Sequence, residues 1–199
     1  MISLIIVANG TGQRFGSNKM LLNIDGQYLI NKTIKCFEGI DDIKEIIVVS
    51  NQEIFNIIDN KKVICVNGGN TRSQSVECGL KLAKQEYVLI HDGARPFITK
   101  KLIKNIVNSL KNNEVVVPFL KISNCLKRIS NSKVKTVNRE EYIQTQTPQG
   151  FKTSIIRKAY ENNKAEFYDD CQLLEDTKYE IHFINGEEEN KKITFITDI

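Results

Sequence analysis

Residues 3–7 form an apolar run that leads directly into Ala8-Asn9-Gly10-Thr11-Gly12-Gln13-Arg14-Phe15-Gly16, with Lys19 three residues further on. Glycines in such a loop let the backbone turn tightly and present N–H groups to phosphate oxygens. Arg14 and Lys19 set two cations beside that cradle. The combination suits a triphosphate whose charge must be offset during attack at phosphorus. No Gly-Lys-Ser/Thr closes the loop, so it is not a Walker A loop. No acidic residue ends a second strand at the distance a dinucleotide site requires. An ordinary strand-to-helix turn with two solvent-facing cations would carry the same residues.

Asp92 is the second candidate. It ends the apolar run 87–91, where a carboxylate is costly unless a metal or strong donors claim it; a helix N-cap is the alternative. Arg95, three residues on, is placed to hold that carboxylate. Gly68-Gly69-Asn70-Thr71-Arg72 makes another glycine turn ahead of a helical pattern, and Arg72 there either meets a ligand or braces the turn.

These residues need a scaffold, and the hydrophobic pattern supplies one. Short β-branched runs at 3–7, 45–50, 63–66, 87–91 and 115–118 alternate with helical patterns at 29–37, 70–84 and 100–112. In the last of these Leu102, Ile103, Ile106, Val107 and Leu110 form one helix face. Strands apolar on both sides and separated by helices imply an α/β, doubly wound, mostly parallel sheet, with its ligand site at the strands' C-terminal ends. After Pro118 the rhythm changes. Residues 122–129 and 133–138 read as a hairpin around Ser130-Asn131-Ser132, a β-hairpin arm at about 121–139 projecting from a single domain that spans 1–199. Helices are expected at 154–162 and near 169–177, and closing strands at 180–184 and 192–196.

Composition bounds the function. Among 199 residues the net charge is +4, which suits anionic small molecules and is too mild for a nucleic-acid binder. The five cysteines contain no C-x-x-C pair, so neither a disulfide framework nor a zinc site is expected, and reduced thiols point to the cytoplasm. No apolar stretch approaches the ~18 residues of a membrane span.

The glycine loop resembles the nucleotidyltransferases that activate sugars and cofactors. Lys19-Met20-Leu21-Leu22 is similar to the molybdenum-cofactor guanylyltransferase branch. Four further segments, in order along the chain, resemble the 2-C-methyl-D-erythritol 4-phosphate cytidylyltransferases instead. They are Gly68-Gly69-Asn70-Thr71-Arg72-Ser73-Gln74-Ser75-Val76; His91-Asp92-Gly93-Ala94-Arg95-Pro96; Thr136-Val137-Asn138-Arg139 with Gln146-Thr147-Pro148-Gln149-Gly150-Phe151; and Asn190-Lys191-Lys192-Ile193-Thr194.

That resemblance implies a Rossmann-like nucleotidyltransferase fold. It also implies in-line attack by the phosphate oxygen of 2-C-methyl-D-erythritol 4-phosphate on the α-phosphorus of CTP, with release of pyrophosphate. Arg14, Lys19, Asp92 and Lys192 would be catalytic, with Asp92 beside Mg²⁺. Ala8, Asn9, Gly10, Gly12, Gly69, Asn70 and Ser75 would bind the nucleotide. Arg95, Cys125, Arg139 and Thr147 would meet the polyol phosphate, partly from an arm shared across a homodimer. No nucleic acid or membrane partner is implied.

The departures matter most on the arm. Ser123-Asn124-Cys125-Leu126-Lys127 carries a cysteine where the family has a threonine, and a thiol is a weak donor. Asn9, Met20 and Asn70 replace the usual Ala, Gln and Asp, and Tyr168-Asp169-Asp170-Cys171 follows its motif loosely, its carboxylates reaching substrate or starting a helix. A ribitol 5-phosphate cytidylyltransferase and a non-catalytic nucleotide-binding relative stand as alternatives. Gly186-Glu187-Glu188-Glu189 resembles the junction of versions fused to a cyclodiphosphate synthase.

Overall fold

The computed structural model describes residues 1–10, 18–163 and 167–198. In chain order the first half contains β1 (Ile2–Val7), the short pair β2 (Asn23–Ile24) and β3 (Gln27–Tyr28), α1 (Leu29–Phe37) and β4 (Ile43–Ser50). α2 (Gln52–Phe55), β5 (Ile64–Asn67), α3 (Arg72–Leu82), β6 (Tyr87–Asp92) and α4 (Lys100–Ser109) follow. The second half contains β7 (Val115–Lys121), β8 (Lys127–Ser130), β9 (Lys133–Thr136), β10 (Ile143–Thr145), β11 (Gln149–Lys152), α5 (Thr153–Asn162) and β12 (His182–Asn185).

One sheet organises the chain, in the order β10-β7-β11-β6-β1-β4-β5 with β12 alongside β7. β5, β4, β1 and β6 are parallel neighbours, and β12 runs parallel to β7. Side chains alternate across β1: Leu4 and Ile6 pack with Leu29, Ile34, Phe37 and Ile103 on one face, while Ile5 packs with Val49, Val76 and Leu80 on the other. Both faces are therefore covered by helices, which is why the buried centres of these strands, such as 4–6 and 88–90, are apolar. Two of these helices, α3 and α4, start on side-chain caps: Thr71 accepts from the Gln74 N–H and Thr99 from that of Leu102, each at 3.1 Å. This doubly wound α/β arrangement is the expected class.

Four details differ from the sequence expectation. β11, in the Gln149–Lys152 segment, is inserted antiparallel between β6 and β7. Its Gly150 looks like a turn residue, but a Cβ there would lie 2.9 Å from Leu110 Cδ1, so the glycine serves close packing of α4 on the sheet. The arm's strands are shorter than expected, and residues 122–126 are outside them. Asn131 and Ser132 both have positive φ, 47° and 61°, which makes a two-residue turn whose twist suits a hairpin. Every residue of β8 and β9 is exposed. Between 169 and 177 the helix is 3-10 and covers only Asp170–Leu174.

The last difference is that 192–196 is not a strand. The Thr194 and Phe195 N–H groups donate to Asp198 Oδ2 at 2.7 and 2.8 Å, which curls the segment into a terminal turn instead of a ladder. No helix among the described residues is long and apolar enough to cross a membrane.

Candidate active site

Parallel strands carry their loops to one end of the sheet, and the ends of β1, β5 and β6 meet there. Val7 and Asp92 are register partners, so Asp92 sits beside the start of the glycine loop. Gly12 and Arg14 lie outside the described residues.

Asp92 is nearly buried and surrounded by cations. Lys192 Nζ is 2.8 Å from Oδ2, Arg95 Nε is 3.6 Å from the same oxygen, and Arg72 Nε donates to Oδ1 at 3.3 Å. Burial alone would raise its pKa. Arg72, Lys192 and Arg95 more than offset that and hold the carboxyl well below the usual carboxylate range. Arg72 turns the rest of its fork to Asp170, with bidentate bonds of 3.0 and 2.7 Å. Asp170 is 0 % exposed and also accepts from the Tyr160 hydroxyl at 2.5 Å. Burial works against the Arg72 charge, but Asp170 and Asp92 overcome it and push the guanidinium pKa up. Within this cluster of described residues three cations, Arg72, Arg95 and Lys192, thus face two carboxylates, Asp92 and Asp170.

Beneath Asp92 lies a neutral relay. His91 Nε2 is 3.1 Å from the Arg95 carbonyl, which can only accept, so Nε2 carries the proton. Nδ1 then accepts from the Thr147 hydroxyl at 3.1 Å, and that hydroxyl accepts from the Asp92 N–H at 3.0 Å. Burial pushes the His91 pKa down to about 4, so the ring is uncharged near neutrality. Thr147 therefore sits under Asp92 with its hydroxyl proton given to His91.

The nucleotide-side residues form a second web. Asn9 Nδ2 donates to the Gly69 carbonyl at 2.8 Å, tying the β1 loop to the β5 loop. The Gly69 N–H donates to Ser75 Oγ at 3.2 Å, and Ser75 donates to the Thr71 carbonyl at 2.9 Å. A Cβ on Gly69 would fall 2.3 Å from Gln74 Cβ, so only glycine fits this approach. The Asn70 N–H is held by Gln74 Oε1 at 2.8 Å, and the Ala8 carbonyl accepts from Ser50 Oγ at 2.8 Å. Ser75 is buried, so it shapes the loop from behind, whereas a Cβ on Gly10 would meet nothing within 4 Å among the described residues.

Lys19 opens the 3-10 helix Lys19–Leu21, which Asn18 caps, and its Nζ donates to the Ile193 carbonyl at 3.0 Å. Lys19 and Lys192, 173 positions apart, are thus joined through one short segment near the C-terminal end. The arm residues are apart from this group. Cys125 is exposed; Arg139 donates to the Ser123 carbonyl and, at 3.3 Å, to Glu140. Among the described residues no hydrogen bond or ion pair joins Cys125 or Arg139 to the Asp92 cluster.

Several residues here escape the sequence reading. His91, Gln146 and Asn190 lie inside the quoted motifs but gain roles only through contacts. Asp170 needed the fold to bring it to Arg72, 98 positions away; its neighbour Asp169 instead caps the 3-10 helix Asp170–Leu174 and accepts from Thr145. Among the described residues no group of three or more His, Cys, Asp or Glu could hold a metal. One carboxylate, Asp92, fits a magnesium ion that arrives on a triphosphate, because Mg²⁺ commonly takes one or two carboxylates plus phosphate oxygens. Its Oδ2 is shared with Lys192, whose side chain is 37 % exposed.

Comparison with known proteins gives the family and the fold. The family model "IspD: 2-C-methyl-D-erythritol 4-phosphate cytidylyltransferase" matches residues 2–199. A 2-C-methyl-D-erythritol 4-phosphate cytidylyltransferase of Bacillus licheniformis is 33% identical over 211 residues, covering 98% of this chain and 91% of the relative. A bifunctional IspD/IspF enzyme of Brucella anthropi is 32% identical over 217 residues, covering all of this chain and 53% of the relative. The crystal structure of 4-diphosphocytidyl-2C-methyl-D-erythritol synthase from Anaerococcus prevotii superposes with a TM-score of 0.88 at 31% identity, covering 100% of this chain and 92% of that one.

Proposed function

We propose the roles below from the premise that the chain belongs to the 2-C-methyl-D-erythritol 4-phosphate cytidylyltransferase family. It transfers CMP from CTP to 2-C-methyl-D-erythritol 4-phosphate and releases pyrophosphate, a step of isoprenoid precursor synthesis.

Lys192 carries the reading: a half-exposed lysine pairs with a nearly buried aspartate at the sheet's C-terminal end. On binding CTP, Lys192 exchanges Asp92 for the phosphates, and with Arg14 and Lys19 it offsets charge on the oxygens around the α-phosphorus. Attack by the acceptor's phosphate oxygen is direct, without a covalent enzyme intermediate. Arg72 and Arg95 keep Asp92 ionised and aimed while Lys192 moves. Asp92 would hold Mg²⁺, which when bound neutralises triphosphate charge. The backbone of Ala8, Asn9 and Gly10, the Gly12 turn, and the web of Gly69, Asn70 and Ser75 would enclose the cytidine.

Arg95 and Thr147 support Asp92 at the acceptor side, and Cys125 and Arg139 belong to the acceptor's phosphate grip. A bidentate arginine suits that grip. Because those two lie on an exposed arm, they would serve the site of a second copy, so we assign a homodimer with shared sites. We assign one domain across 1–199. The five free cysteines support a reducing, cytoplasmic setting.

The direct test is pyrophosphate release from CTP, with and without Mg²⁺, on 2-C-methyl-D-erythritol 4-phosphate and on D-ribitol 5-phosphate. Metal-dependent turnover of the first alone is expected. Undiminished turnover with the metal chelated would remove Asp92 from its metal role, and preference for ribitol phosphate would reassign the arm.

A further inference from the structure

We infer that Gln146 is a positioning residue that sets Lys192 for catalysis by clamping the 186–190 segment against the sheet. The inference rests on the role given above to Lys192.

Gln146 directly follows β10, and its N–H donates to the Pro118 carbonyl of β7 at 2.7 Å, so its backbone belongs to the rigid sheet. Its side chain is buried. Nε2 donates to the Glu187 carbonyl at 2.8 Å and to the Asn190 carbonyl at 3.3 Å. Oε1 accepts from the Glu187 N–H at 3.1 Å and from Asn190 Nδ2 at 3.4 Å. A carboxamide has two donors and two acceptor positions. All four here are spent on one short segment that is irregular and has no ladder of its own.

Gly186 makes the approach possible. Its N–H donates to the Phe119 carbonyl at 2.8 Å, and a Cβ there would fall 2.3 Å from Gln146 Oε1. Two residues beyond Asn190 comes Lys192, so the clamp is within roughly 7 Å of chain from the lysine. Past Lys192 the chain is held again, by the Ile193 N–H on the Ala94 carbonyl at 2.9 Å. Asn190 also donates to the Thr147 carbonyl at 2.9 Å and accepts from Arg95 at 2.7 Å. With so little chain between anchors, a shift of the upstream one reaches the ammonium group directly. None of the four Gln146 bonds reaches Asp92 or another of the residues assigned to the nucleotide.

A kinetic cycle separates positioning from general support. Gln146→Ala is expected to lower kcat roughly 10- to 100-fold and to change KM for CTP by less than about threefold. In a Lys192→Ala background the same substitution should change kcat by less than about twofold, because the group it positions is gone. Gly186→Ala pushes on the clamp from the other side and should reproduce both results; it runs the cycle alone if Gln146→Ala does not give a folded protein on thermal melting. An equal fold-loss in both backgrounds would overturn the inference in favour of a structural role, and so would wild-type kcat in both clamp variants. Should Lys192→Ala itself keep wild-type kcat, the lysine's catalytic role falls and the clamp's purpose with it, an outcome distinct from the other two.

Discussion

At the scale of single residues, the site is governed by how charge is stored in a nearly dry place. Asp92 stays ionised only because Arg72, Lys192 and Arg95 outweigh its burial. Asp92→Asn removes the negative centre of that cluster. It is expected to lower kcat at least about 100-fold, by steady-state pyrophosphate release, and to destabilise the fold by roughly 1–3 kcal/mol in urea unfolding, since Arg95 is left buried without its counter-ion. His91 works the other way. Its folded pKa of about 4 lies below the unfolded 6.5, so the unfolded chain binds the proton first. Its stabilising contribution is complete above about pH 6.5 and is lost as pH falls towards 4, up to about 3 kcal/mol in all. The depressed Asp92 adds a second loss, confined to pH below about 4. Unfolding free energies at pH 7, 5.5 and 4.5 test the first window. A curve flat from 7 to 4.5 would show that His91 titrates normally.

At the scale of elements, the exposed arm is the part that the isolated chain leaves unexplained. A two-stranded hairpin is marginal by itself in water, and β8 and β9 bury none of their residues. Ile129 and Val134 are register partners, 74% and 64% exposed, and form an apolar pair near its tip. If the arm carries the acceptor's phosphate grip, Arg139→Ala should raise KM for 2-C-methyl-D-erythritol 4-phosphate at least about tenfold while leaving CTP affinity, by titration calorimetry, within about twofold. Parallel losses for both ligands would detach Arg139 from the acceptor.

At the scale of the whole molecule, the two kinds of information contribute differently. A 22.7 kDa chain should sediment as a dimer, and Ile129→Asp with Val134→Asp should shift it to a monomer with a nearly unchanged melting temperature. A monomeric wild type would refute the shared site. The alternating strands and helices were legible from the sequence because burial on both faces of a parallel sheet forces continuous apolar runs, and the ends of β1 and β6 follow from that order. Lys19, Asp92 and Lys192 were singled out because local motifs carry local chemistry, and the fold brings Lys192 to Asp92 and Lys19 to the Ile193 carbonyl; Arg14 lies outside the described residues. β11 was not, since Gly150 looks like a turn until α4 is packed over it. Nor were the roles of Gln146 and Asp170, because a carboxamide or carboxylate is chemically silent in one dimension. What they bind is set by segments 41 and 98 positions away, and only the closed sheet, by fixing those distances, decides that Gln146 clamps the Lys192 segment and that Asp170 holds Arg72.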